Sequence, residues 1–162
     1  MPTTCNNDKQ DINLIDKINT FKKVLKIQSF ILLARPKDIV YQCDLAKQQF
    51  IQALNSIIEK GLLILEIPWV DNESWLDLMS DLKSKFPHLI IGSASLVNKK
   101  SIDDSLKLDL NFSMMRFWDK DLFTYSKQND YLLIPGMTNI KDFKEAVSFN
   151  CCMIKIFPVA KK

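Results

Sequence analysis

The sequence predicts an α/β fold built on a parallel sheet, and three observations predict it. Six short apolar runs recur along the chain. Between them lie amphipathic stretches with helix-start and helix-stop residues. A further helix-periodic segment stands before the first run.

That leading segment carries Leu14, Ile18, Phe21 and Leu25 at helical spacing. It is expected to form an N-terminal helical extension, residues 1–27, packed as an extra helix against a domain spanning 28–162. The apolar runs are residues 29–34, 62–67, 88–92, 110–115, 131–134 and 151–157. Each is about strand length and apolar on both faces, as in a parallel sheet covered by helices. After the first run, Ala46, Phe50, Ala53, Leu54, Ile57 and Ile58 form one helix face, and Gly61 is the stop signal. Asp71 or Asn72 can cap a helix whose apolar face is Trp75, Leu78, Met79 and Leu82. Thr138 or Asn139 can cap one carrying Phe143, Ala146 and Val147. Strand alternating with helix implies right-handed βαβ units. Periodicity alone fits a doubly wound open sheet or most of a (β/α)₈ barrel. No G-x-G-x-x-G follows the first run, which argues against a dinucleotide site there.

Composition narrows the function classes. The 162 residues suffice for one domain with a sizeable core. The net charge is +3, and no Lys/Arg run exceeds two residues, so there is no nucleic-acid stripe. No apolar run approaches the ~18 residues of a membrane span, and residues 1–11 lack the apolar core of a signal peptide. A cytoplasmic protein without membrane or nucleic-acid partners is expected. Cys5, Cys43, Cys151 and Cys152 show no C-x-x-C spacing, and His88 is the single histidine. No metal or cofactor is implied. The glycines are few, Gly61, Gly92 and Gly136, although phosphate-cradling loops commonly use more.

Two charged residues sit inside apolar runs, where an unpaired charge is costly. Glu66 lies in Leu-Leu-Ile-Leu-Glu-Ile and Lys155 in Cys-Met-Ile-Lys-Ile-Phe-Pro. Both come late in their runs, and parallel α/β folds place their sites at the C-terminal strand ends. The same pattern also describes a structural ion pair or a lysine snorkelling out of the sheet. Alternation assigns Met153 and Cys151 to the side of Lys155, with Ile154 and Ile156 facing the helices.

Four blocks resemble a known family. Glu-Ile-Pro-Trp at 66–69 is similar to the Glu-Val-Thr-Leu of the 2-keto-3-deoxy-6-phosphogluconate and 4-hydroxy-2-oxoglutarate aldolases. Ile-Ile-Gly-Ser-Ala-Ser-Leu resembles their Ile-Val-Gly-Ala-Gly-Thr-Val. Leu-Leu-Ile-Pro-Gly-Met-Thr resembles their Pro-Leu-Leu-Pro-Gly-Val-Ala-Thr, and Met-Ile-Lys-Ile-Phe-Pro-Val their Leu-Lys-Phe-Phe-Pro-Ala. Order and spacing agree from about residue 29 to residue 160.

The resemblance implies a trimeric (β/α)₈ TIM-barrel fold and a class I aldolase that releases pyruvate and an aldehyde from a 2-keto-4-hydroxy acid. Lys155 becomes the Schiff-base nucleophile, its amine freed by burial. Glu66 becomes the general acid/base. Arg35, at the end of the first run, can hold the pyruvate carboxylate in its fork. Ser95 replaces the family threonine, and Pro135 and Phe157 hold matching site positions. The family arginine falls at Val70, and a Ser-Pro-Gly turn is replaced by Met115, Arg116 and Phe117.

Seven residues follow Lys155, where the family continues through two βα units of roughly forty to fifty residues. The expectation is an incomplete, C-terminally truncated barrel of about six βα units with open edge strands and no advantage for phosphorylated substrates. Alternative readings are a non-catalytic, truncated aldolase-like protein serving as an association module, or an open α/β binding domain in which Glu66 and Lys155 simply pair.

Overall fold

The computed structural model describes residues 7–156, with side chains from residue 14 onward. The elements alternate as expected: α1 (Asn7–Ile27), β1 (Leu32–Leu33), a 3₁₀ turn (Asp38–Tyr41), α2 (Asp44–Ile58), β2 (Ile64–Pro68), α3 (Glu73–Lys85), β3 (Ile90–Leu96), α4 (Lys99–Lys107), β4 (Phe112–Met115), α5 (Lys120–Gln128), β5 (Leu133–Ile134), β6 (Gly136–Met137), α6 (Ile140–Ser148) and β7 (Lys155–Ile156). The sheet runs β1-β2-β3-β4-β5, every pair parallel. Pro135, which has no N–H to donate, separates β5 from β6. Beyond it, β6 pairs parallel with β7, so the six runs follow one another in sequential order. This is the incomplete barrel order that the sequence predicts. Among the described residues no helix is long and apolar enough to cross a membrane.

Local signals account for the helix boundaries. Asn72, Asn98, Asp119 and Asn139 each accept a backbone N–H with the side chain at the start of α3, α4, α5 and α6. Asn72 and Asn139 are thus chosen over Asp71 and Thr138. Gly61, with φ +99°, turns the chain after α2 into the left-handed region that glycine tolerates.

Strand alternation splits the core in two. Leu65, Ile67 and Ile91 face outward, onto Trp75, Leu78, Met79 and Leu82 of α3. Ile64, Ile90, Phe112, Met114 and Ile134 face inward, and Phe21 of α1 packs among them. The rings of Phe21 and Phe112 lie 4.6 Å apart. The N-terminal helix is therefore seated on the inner face of the sheet. Gln28 stitches its end to β2: the Oε1 accepts the Leu63 N–H and the Nε2 donates to the Phe30 carbonyl, each at 2.7 Å. In α2 the predicted face is only partly right, since Ile51 is buried with Leu54 and Ile58 while Ile57 is exposed.

Outside β3, β4 and β5 the core is not purely apolar. Ser93, Ser105, Ser113 and Tyr131 form a buried hydroxyl network, with Ser93 Oγ to Ser105 Oγ at 2.8 Å and Ser113 Oγ to Tyr131 Oη at 2.6 Å. Each hydroxyl has a partner, so burial is offset. Burial drives the Tyr131 phenol far above its ordinary pKa, and it stays a neutral donor and acceptor.

Among the described residues the first and last strands fall furthest short of their apolar runs. The first is reduced to Leu32–Leu33 and the last to Lys155–Ile156. The chain bends at Cys152, and residues 151–154 are not in a strand. Two-residue alternation applies only to extended chain. Consequently Cys151 packs on the outer cluster with Leu133 and Phe149, while Met153 packs on the inner one. Ile154 lines the same cavity as Lys155 rather than facing the helices. Met153 keeps its expected side, and Ile156, next to Lys155 in β7, is exposed and is not among the cavity-lining residues.

At Gly136, a Cβ would collide with the Arg116 carbonyl oxygen and crowd the Met115 carbonyl. These are backbone atoms and cannot swing aside. Gly136→Ala is expected to cost about 1–3 kcal/mol of stability, and to loosen β7, which pairs with this residue. Urea unfolding checks it; an unchanged midpoint would show that the sheet tolerates the extra atom.

Candidate active site

The inner face of the sheet borders an open cavity of about 550 Å³. Phe21, Leu25, Met114 and Ile134 form much of its apolar wall, and among the described residues Glu66 and Lys155 are the two charged ones that line it. Glu66 arrives on β2, between the outward Leu65 and Ile67, and is 3% exposed. Lys155 opens β7: its backbone N–H donates to the Pro135 carbonyl at 2.8 Å, and it sits in register with Gly136. The Lys155 Nζ lies 3.6 Å from Glu66 Oε1. An ammonium and a carboxylate at that separation attract without a close hydrogen bond.

The two partners differ in environment. The Lys155 side chain is 38% exposed, so it is less buried than a lysine centred in a strand would be. Glu66 Oε2 has no hydrogen-bond partner among the described residues. Burial raises the Glu66 pKa above its ordinary value, against the attraction of Lys155 and, more weakly, Arg35. A carboxyl that holds its proton more readily and faces an amine is equipped to give and take protons.

The raised carboxyl pKa has a sign for stability. The folded state binds the Glu66 proton more tightly than the unfolded chain does, so this contribution is full below the unfolded value and is lost as pH rises through the folded one. Glu66→Gln is expected to flatten that part of the stability–pH curve and to be more stable than the natural chain, relative to their acidic values, at neutral pH. Thermal melts at acidic and neutral pH check this; parallel curves for the two proteins would contradict it.

The sequence pattern of the family described as KDPG and KHG aldolase matches residues 34–162, a stretch that holds both Glu66 and Lys155. The chain belongs to this family. A 2-dehydro-3-deoxy-phosphogluconate aldolase from Pseudoalteromonas atlantica is 25% identical over 122 residues, which is 75% of this chain and 53% of that one. Among solved structures, the 2-keto-3-deoxy-6-phosphogluconate aldolase of Zymomonas mobilis superposes with a TM-score of 0.63 at 20% identity, covering 78% of this chain and 56% of that one. The KDPG aldolase of Legionella pneumophila, with pyruvate captured as a covalent carbinolamine, superposes with a TM-score of 0.59 at 16% identity, covering 79% and 57%. The chain thus spans little more than half the length of these aldolases. At such identities the superpositions establish the shared fold.

The other family positions are distributed unevenly around the cavity. Arg35 is exposed just after β1, and its charge reaches Glu66. Pro135 contributes its carbonyl to Lys155 rather than a cavity wall. Ser95 is half-buried at φ 63°, at a register irregularity between β3 and β4, and is not among the cavity-lining residues. Phe157 lies outside the described residues. Val70 is exposed beyond β2. Met153 lines the cavity on the side of Lys155 that alternation assigned to it, whereas Phe21 and Leu25 line it without having been singled out in the sequence as site residues. The helix period of α1 marked an apolar face, but no local signal told where that face would dock.

Proposed function

We propose that the chain is a class I aldolase of 2-keto-4-hydroxy acids, 2-keto-3-deoxy-6-phosphogluconate or a close analogue, yielding pyruvate and an aldehyde. The observation that carries this reading is the Lys155–Glu66 pair, 3.6 Å apart inside the cavity. The Lys155 amine attacks the C2 ketone, and the carbinolamine loses water to form an iminium. The iminium accepts the electron pair as the C3–C4 bond breaks, while the C4 hydroxyl gives up its proton. Glu66 stands within reach of Lys155 to supply the proton that water needs to leave and to accept the one from the hydroxyl. The Arg35 guanidinium holds the pyruvate carboxylate. Protonation of the enamine and hydrolysis of the imine release pyruvate and restore the amine.

Pyruvate release from 2-keto-3-deoxy-6-phosphogluconate and from 4-hydroxy-2-oxoglutarate tests the proposal directly. Glu66→Gln is expected to lower kcat about 10²-fold while changing pyruvate affinity little, because it removes proton transfer rather than binding. A loss confined to affinity would assign Glu66 a binding role.

A second reading is favoured by Val70, which stands where the family arginine is expected and is exposed. On that reading the chain is a non-catalytic member that binds through its surfaces. Absence of pyruvate release from both substrates, together with absence of any covalent pyruvate adduct, would select it.

A further inference from the structure

Glu66 is not held in place by its own hydrogen bonds. The Oε2 has no partner among the described residues, and Oε1 meets only the Lys155 ammonium at 3.6 Å. Its position must come from the strand that carries it. The end of that strand is fixed at three points. Trp75 Nε1 donates to the Pro68 carbonyl at 2.9 Å. The Trp69 backbone N–H donates to the Ala94 carbonyl at 2.8 Å. The Trp69 Nε1 donates to Asp104 Oδ2 at 3.1 Å.

The third contact is unlike the others. Asp104 belongs to α4, the helix that follows β3, yet it reaches back to the segment after β2. Its side chain is 5% exposed, and a carboxylate so buried costs stability unless it is satisfied. Lys100 pairs with it at 3.1 Å, pairs with Asp71 at 2.6 Å, and lies 5.5 Å from the centre of the Trp69 ring. Lys100 and Asp71 are more than half exposed, so their ion pair contributes little. Lys107, also largely exposed, lies 3.8 Å from the other Asp104 oxygen, so the part-buried indole–carboxylate bond is the better shielded link of the group.

We propose that the Trp69–Asp104 hydrogen bond is a positioning element that sets where the Glu66 carboxylate lies against Lys155. The inference rests on reading Glu66 as the acid/base. Among the described residues the charged groups acting on Glu66 are Lys155 from β7 and Arg35 from just after β1, and neither is a partner in the Trp69–Asp104 group. Loosening the strand end admits water to a carboxyl whose isolation depends on the strand, and shifts it relative to the amine.

Three variants test this: Trp69→Phe, which keeps a ring and loses the donor; Asp104→Asn, which keeps an acceptor oxygen; and Asp104→Leu, which removes it. Two quantities are read in the full chain: the rate at which pyruvate and borohydride label Lys155 across pH, and the titration of the Glu66 carboxyl by NMR. Trp69→Phe and Asp104→Leu are expected to slow labelling about tenfold, well inside the loss a misplaced catalytic group can cause, and to move the Glu66 midpoint down toward the ordinary carboxylate value. Asp104→Asn is expected to resemble the natural chain in both. If Asp104→Leu does not fold, the comparison of Trp69→Phe with Asp104→Asn decides. An unshifted Glu66 midpoint in Trp69→Phe overturns the proposal, as does Asp104→Asn impaired as badly as Trp69→Phe. Failure of the natural chain to label Lys155 would instead overturn the aldolase reading, and the NMR titration then decides the positioning claim alone.

Discussion

Lys155→Ala is expected to abolish covalent capture of pyruvate. With the natural chain, borohydride reduces the imine, and the peptide containing Lys155 gains the mass of a reduced pyruvyl group. Lysines elsewhere are expected to stay unlabelled under the same conditions, because among the described residues no other lysine lies beside Glu66 in the cavity. Lys155→Arg should be as inert as the alanine variant: a guanidinium stays protonated, has no free electron pair to attack a ketone, and cannot form the imine. Mass spectrometry of the digested protein checks this. Persistence of the label in Lys155→Ala would show that the nucleophile lies elsewhere. Cleavage that survives the substitution would exclude a mechanism through Lys155.

Trp75→Ala is expected to have the largest effect on stability. The indole is fully buried between β2 and the rest of α3, against Leu65, Ile67, Leu78 and Leu82. Truncating an aromatic side chain in a well-packed core costs about 3–5 kcal/mol. That is a large share of the roughly 5–15 kcal/mol by which a domain is folded. The loss also leaves the Pro68 carbonyl without the N–H that reaches it at 2.9 Å, a further penalty of about 1 kcal/mol. Trp75→Phe separates the two contributions, since it keeps most of the volume and removes the donor. Urea unfolding followed by far-UV circular dichroism measures both. A cost below about 1 kcal/mol for the alanine variant would mean that the surrounding helices collapse into the space.

Several features were legible because their signals are local. Caps depend on one side chain and the next few N–H groups, so the choice could be narrowed to Asp71 or Asn72, and to Thr138 or Asn139, without tertiary information. The α3 face of Trp75, Leu78, Met79 and Leu82 follows from helical period, and all four are buried. Glu66 and Lys155 stood out because a charge within an apolar run demands a partner. Their proximity agrees with that demand, although the strand distance between them could not be read from pattern. Other features had no local signal. Cys151 and Ile154 were assigned sides by an alternation that requires extended chain, and the bend at Cys152 removes that condition. The serine and tyrosine hydroxyls of the buried network come from four separate elements or their flanks, and each looks like an ordinary polar residue alone.

By itself the sequence determined the alternating order of strands and helices, the parallel character of the sheet, the apolar face of α3 and the two residues most costly to bury alone, whereas the predicted α6 face keeps only Ala146 buried, with Phe143 and Val147 exposed. These are set by side-chain period, capping chemistry and desolvation, which act over a few neighbouring residues. Only the tertiary structure decided that α1 docks on the inner face of the sheet, that Pro135 hands its carbonyl to Lys155, and that Asp104 reaches Trp69 across 35 residues of chain. Such contacts depend on which surfaces meet once the strands have been laid side by side. The gain from apolar area buried and polar groups paired is then shared among residues that carry no common pattern in the chain.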